Sequence, residues 1–223
     1  MTDHQSRPPQ RIRAPKAAGI AGVVFSILLI ISLVLLLTAM PTSANGERLW
    51  WMGRQDHLLL ALNLIPFAGI AFLWFIGVVR DRLGEGEDQF FATIFLGSGL
   101  LFVALLFVSA ALIGSVVMVS QSLAPGLEGI SEAYSRQPYH YAGSTLFSTY
   151  GIRMAGVFMI STSTLFLRTH AIPAWMAWMG YGLAAIMLFR IGQIDHLGWV
   201  VLGFPLWVLL VSIYILVVSY RQR

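Results

Sequence analysis

Residues 54–82 read RQDHLLLALNLIPFAGIAFLWFIGVVRDR: a charged and polar opening, an apolar run from Leu58 to Val79, and a close on Arg80, Asp81 and Arg82. The apolar part is 22 residues long, the length of a helix that crosses a bilayer. It contains an amide, Asn63, and a proline, Pro66. Lipid tolerates a loosened helix backbone only where neighbouring helices cover it. The stretch therefore predicts a membrane-crossing helix inside a bundle.

Further apolar runs flank it at residues 17–40, 90–119, 144–167, 173–189 and 197–220. Together they predict an all-α, six-transmembrane-helix bundle forming a single domain over 17–223. The run at 90–119 is longer than a bilayer needs, so it must tilt or project. Pro173 suits the first turn of its helix. Residues 1–16, MTDHQSRPPQRIRAPK, are polar and proline-containing, and are read as a disordered basic tail. Thr42 and Ala44 fit a signal-peptide cleavage site, but the run before them far exceeds the usual 7–15 apolar residues. Trp50 and Trp51 beside a span suit the headgroup belt.

Composition agrees. The chain is 57% hydrophobic and 11% charged, against roughly 25% charged in soluble domains. The net charge of +4 comes from cations at helix ends, which gives a topology signal and no nucleic-acid face. With six spans both termini share one side. That side carries nine cations against five on the other, so both termini are predicted cytoplasmic by the positive-inside rule. There are no cysteines, which excludes disulfides, thiolate metal sites, iron–sulfur clusters and thiol catalysis.

The candidate polar site is Asp56, His57, Asn63, Arg153, Asp195 and His196. Asp56-His57-Leu58 recurs as Asp195-His196-Leu197, and each His is followed nine residues later by a proline, Pro66 or Pro205. Such a recurrence fits an internal duplication. It fits equally well two helices capped alike, since Asp is a favoured N-cap. Two His and two carboxylates are a ligand set for a divalent metal such as zinc, if the second and sixth helices are neighbours. A haem between His57 and His196 is disfavoured, because axial histidines normally sit deeper, and no cofactor is expected. Arg153 interrupts the fourth span. Intramembrane charges usually face a bundle interior, and helix lengths put Arg153 near the depth of Asn63. It is therefore expected to face the second span, below Asp56 or Asp195; snorkelling along lipid is the rival reading.

Other polar groups have plainer readings. Ser161, Thr162, Ser163 and Thr164 are expected to bond their own helix or a neighbour. Small residues at Ala110/Gly114, Ala111/Ser115, Gly180, Gly182, Ala184 and Ala185 permit close helix contact. Asp81, Glu85, Glu87 and Asp88 read as a solvated turn, with no phosphate-loop motif. No Gly-x-Ser-x-Gly or His-Glu-x-x-His motif is present, and no catalytic residue is assigned.

The opening AAGIAG (17–22), ALNLIPFAGIAFLWFIGVVRD, FFATIFLGSGLLF, MISTSTLFL and IPAWMAWMGYGLA resemble a group of uncharacterised bacterial integral-membrane proteins. The resemblance covers most of the chain from Ala17 onward. It implies a six-helix protein of the bacterial cytoplasmic membrane and carries over no catalytic residue. Three function classes follow. The first is a small transporter or permease-like protein with a polar site near the outer face, acting on a small molecule or ion. The second is a non-catalytic subunit that binds a membrane-protein partner. The third is a metal-dependent membrane enzyme built on the Asp-His pairs. The bilayer is the common partner, and nucleic acid is not one.

Overall fold

A computed structural model describes residues 14–39, 47–83, 89–122, 141–169, 172–189 and 200–221. All the regular structure among them is helical. The helices are α1 (Ala14–Ala39), α2 (Glu47–Leu83), α3 (Gln89–Ser122), α4 (Tyr141–Thr169), α5 (Ala174–Leu188) and α6 (Gly203–Arg221). Five of them, all but α5, are long and apolar enough to cross a membrane. At 15 residues, α5 is about 22 Å long, short of the roughly 30 Å hydrocarbon core.

α1, α3, α5 and α6 are apolar all round, which marks a helix buried in protein or in lipid. On α1 the large residues Ile20, Val24, Ile27 and Ile31 are exposed, while Ala18, Ala21, Phe25 and Leu29 are buried. Trp74 on α2 is 70% exposed. Apolar outer faces of this extent suit lipid and not water.

The helices form a ring. α1 packs most extensively on α2 and then on α6; α2 continues to α3, α3 to α4, and α4 to α5, with a light contact between α5 and α6. Phe25, Phe72, Phe102, Phe158 and Phe204, from five different helices, meet near the middle. The Phe72 ring lies 4.4 Å from Phe25, 5.5 Å from Phe102, 5.0 Å from Phe158 and 5.8 Å from Phe204. Offset and edge-on geometries at these separations are the favoured ones for aromatic pairs.

α1 and α6 run antiparallel at very close range. A Cβ on Gly19 would strike Leu216, and one on Gly22 would strike the Ser212 hydroxyl. Small residues let membrane helices approach in this way. α5 meets α4 and α6 similarly: a Cβ on Gly180 would strike the Ser163 hydroxyl and come within 2.9 Å of Trp207. The Trp207 indole N–H donates to the Met176 carbonyl at 3.1 Å, tying α6 to α5.

Two helices differ from the sequence expectation. α2 begins at Glu47, so residues 47–56 are helix and not loop. Pro173 is the N-cap of α5, one residue ahead of the first turn, with an extended ψ of 142°. Pro66 lies inside α2 as expected.

Candidate functional site

The six predicted polar residues do not come together among the described residues. Asp56 and His57 are exposed on α2, and so is Asn63 one to two turns further on. Asp56 lies well inside a helix that starts at Glu47, so it does not cap that helix. Asp195 and His196 lie outside the described residues, as does the second half of the Asp-His-Leu repeat. α1 stands between α2 and α6 along the wall of the ring. Among the described residues, no three metal-ligating side chains cluster.

Arg153 is half-buried, and its Nη1 donates to the Thr149 carbonyl at 2.6 Å, four residues back on its own helix. The expected meeting with Asn63 is absent, for two reasons. α4 packs mainly against α3 and α5 and meets α2 at the Phe72–Phe158 ring contact, away from Asn63, and an acceptor is at hand within α4. That acceptor sits in a π-helical turn, Leu146–Gly151, where the Ile152 N–H reaches back five residues to the Phe147 carbonyl. Such turns recur at functional sites, and this one carries Phe147 and Ser148 into the interior feature described next.

A cavity of about 150 Å³ lies at the end of the bundle away from the α1–α6 glycine contacts. α1 lines it through Leu33, Leu36 and Leu37, and α3 through Leu106, Ser109, Ala110 and Ile113. α4 adds Ser144, Phe147 and Ser148, while Ile65 and Val201 complete the wall. Below it a space of about 10 Å³ is bounded by Phe102, Phe147 and Phe204, among others. The cavity thus tapers onto the central phenylalanines. Among the described residues, none of those lining it is ionisable.

The serines of the lining are not alike. Ser144 donates to its own helix at the Tyr141 carbonyl. Ser109 is 3% exposed, and its hydroxyl has no hydrogen-bond partner among the described residues. Leu106, Ser109 and Ile113 follow the three- and four-residue spacing of one helix face, and that face of α3 lines the cavity. Reading the sequence for charged and imidazole side chains passes over this face. Its one visible signal is a lone hydroxyl in an apolar run, VALLFVSAALIG.

Three of the four residues Ser161–Thr164, by contrast, do what the sequence predicts, while the buried Ser163 hydroxyl has no hydrogen-bond partner among the described residues. Ser161 donates to the Val157 carbonyl, Thr162 to that of Phe158 and Thr164 to that of Ile160. Thr164 also shares a 2.7 Å hydrogen bond with the Tyr181 hydroxyl across to α5.

Fold and interior together define a helical chain whose apolar helices are built to pass a membrane several times, with an apolar cavity at one end. No family model, curated protein or solved structure matches it.

Proposed function

We propose that this is a six-span, permease-like protein of the bacterial cytoplasmic membrane, with both termini cytoplasmic. In this reading it takes a small neutral molecule into the cavity from the outer side. α5 and its flanking residues supply the sixth crossing. The observation that carries the reading is the position of the cavity. It sits where α1 and α3 approach their ends and α4 and α6 are near their beginnings, with Ile65 of mid-α2 beside them, which is toward the outer end under the positive-inside assignment. The described wall is apolar and holds no ionisable group, which favours a neutral occupant, since burying a charge against it would go uncompensated. The five central phenylalanines close the path beyond, so passage requires their rings to part.

Binding of 4-fluorotoluene to the purified protein in lipid nanodiscs, followed by fluorine NMR, tests the cavity. A bound resonance is expected for the unaltered chain and should vanish in Ala110→Trp, which fills the space. Identical spectra from the two proteins would refute the reading. The topology is tested by cysteines placed at Gln5, Ser131 and Gln222. Only the one at 131 should react with an impermeant reagent applied to intact cells.

A further inference from the structure

Among the described residues, the two interior spaces share three lining side chains: Leu33, Phe147 and Val201. These stand between the cavity of about 150 Å³ and the space of about 10 Å³ beneath it. Phe147 is the largest of them. Its ring lies 6.3 Å from that of Phe102, which also bounds the lower space. Phe147 thus forms much of the cavity floor, ahead of the central phenylalanines.

The π turn puts the ring there. On α4 the lower space is lined by Phe147, Ile152 and Ala155. Ile152 and Ala155 are three residues apart and share one face of an α-helix. Phe147 is five residues ahead of Ile152, and five residues of regular α-helix end about 140° away from the starting face. A phenylalanine at that angle would miss the interior. The turn over Leu146–Gly151 absorbs the extra residue, because the Ile152 N–H reaches back five places to the Phe147 carbonyl. Both side chains then face the same space.

Gly151 completes the arrangement. It is buried at the end of the π turn. A Cβ there would come within 3.0 Å of the Phe147 ring, and the three atoms it would meet first all belong to that ring. The ring therefore lies against a bare Cα. A larger residue at 151 would push it into the spaces on either side, since a packed interior offers no other room.

We infer that Phe147 is the specificity-determining residue of the cavity: its ring is the floor that limits how long an occupant can be. Gly151 is a positioning residue that acts through this ring. The inference rests on the cavity reading above and adds the shape of the occupant. That shape is a compact apolar group of about the size of benzene, which an apolar cavity of about 150 Å³ accepts. An extended alkyl chain would enter only as far as the ring.

The test compares 4-fluorotoluene with 1-butyl-4-fluorobenzene by fluorine NMR on the protein in nanodiscs, each affinity corrected for the probe's own partition into lipid. The unaltered chain should favour the short probe by about tenfold or more, the penalty of forcing extra methylenes against packed side chains. Phe147→Ala joins the two spaces and should bring the probes within about twofold of each other. Phe147→Leu should fall between, and it replaces the alanine variant if that one does not elute as a single monodisperse peak. Gly151→Ala should weaken 4-fluorotoluene by about threefold or more, but by less than about twofold when combined with Phe147→Ala, because the ring it pushes is gone. Equal binding of the two probes to the unaltered chain overturns the inference while leaving the cavity reading standing. So does a preference for the short probe that is undiminished in the Phe147 variants. A Gly151→Ala effect of the same size with and without the ring overturns the positioning role. Failure of both probes to bind, or binding that Ala110→Trp does not disturb, removes the cavity reading and this inference with it.

Discussion

The two ends of the bundle use the same residue type in opposite ways. In the tight seams, glycines press against serines: Gly22 on Ser212 where α1 meets α6, and Gly180 on Ser163 where α5 meets α4. At the other end, Ser109, Leu33, Leu36 and Ile113 line a cavity of about 150 Å³. Lipid chains are as apolar as leucine, so helices in a membrane are held by close packing rather than by escape from water. Tight seams supply that packing, and the phenylalanine cluster extends it across five helices. An open end gives some of it up. The difference teaches where to look for function: a bundle held at its middle and at one end can leave the other end loose enough to admit a ligand.

The largest expected effect lies at the centre. Phe72 is fully buried and touches the rings of Phe25, Phe75, Phe102, Phe158 and Phe204. Phe72→Ala should cost about 3–5 kcal/mol, the usual range for emptying an aromatic core site. Reversible unfolding in mixed micelles measures it. A loss below 1 kcal/mol would show that the ring cluster does not hold the helices together.

The tight seam is probed next, with an internal control. In Gly180→Ala the added methyl meets the Ser163 hydroxyl and the Trp207 ring, and in Gly22→Ala it meets Ser212 and Phe75. Overpacking of this kind typically costs about 1–3 kcal/mol. Gly182, one turn short of Ala185 on the same helix, has nothing within 4 Å of such a methyl. Gly182→Ala should be neutral or stabilising by up to about 1 kcal/mol, through helix propensity. Equal losses at positions 180 and 182 would break the distinction between seam and outer face.

Ala110→Leu carries the comparison to the open end. Ala110 is partly buried and lines the cavity, so added methylenes enter space instead of a neighbour. The change in stability should stay within about 1 kcal/mol, well below the seam variants. A loss as large as that of Gly22→Ala would mean that the two ends are packed alike.

How much of this was legible in the sequence depends on the kind of feature. Run length alone located the helices, because 20 or so apolar residues have few other fates. The early start of α2 at Glu47 was hidden by Arg48, Arg54 and Asp56, polar residues that read as loop although they also suit a helix standing above a membrane. The π turn in α4 has no compositional mark: LFSTYG is an ordinary sequence. The candidate site was the least legible part. Asp56, His57 and Asn63 attract notice because they carry chemistry, yet the fold leaves all three exposed. The cavity is made by what leucines and isoleucines on several helices fail to fill, and no single residue announces that. Ser109 differs from Ser161 in its surroundings and not in its local sequence.

The smallest effect is expected at Arg153, the most conspicuous residue of the sequence. Two terms oppose each other there. A hydrogen bond to a charged group contributes about 1.5–3 kcal/mol, and Arg153 makes one to the Thr149 carbonyl. Holding an arginine at mid-bilayer costs about 2.5–3.5 kcal/mol on insertion scales, and less toward the interface. Arg153→Met removes both terms and keeps a long apolar stem. The sum should lie within about 1 kcal/mol of zero. Because Arg153 does not line the cavity, the affinity for 4-fluorotoluene should also be unchanged. The same unfolding and NMR measurements read both numbers. A loss of several kcal/mol would mean that a carboxylate holds the guanidinium, with Asp195, outside the described residues, the first to examine by Asp195→Asn. A loss of probe binding with stability intact would instead couple the π turn to the cavity through Phe147, which belongs to both.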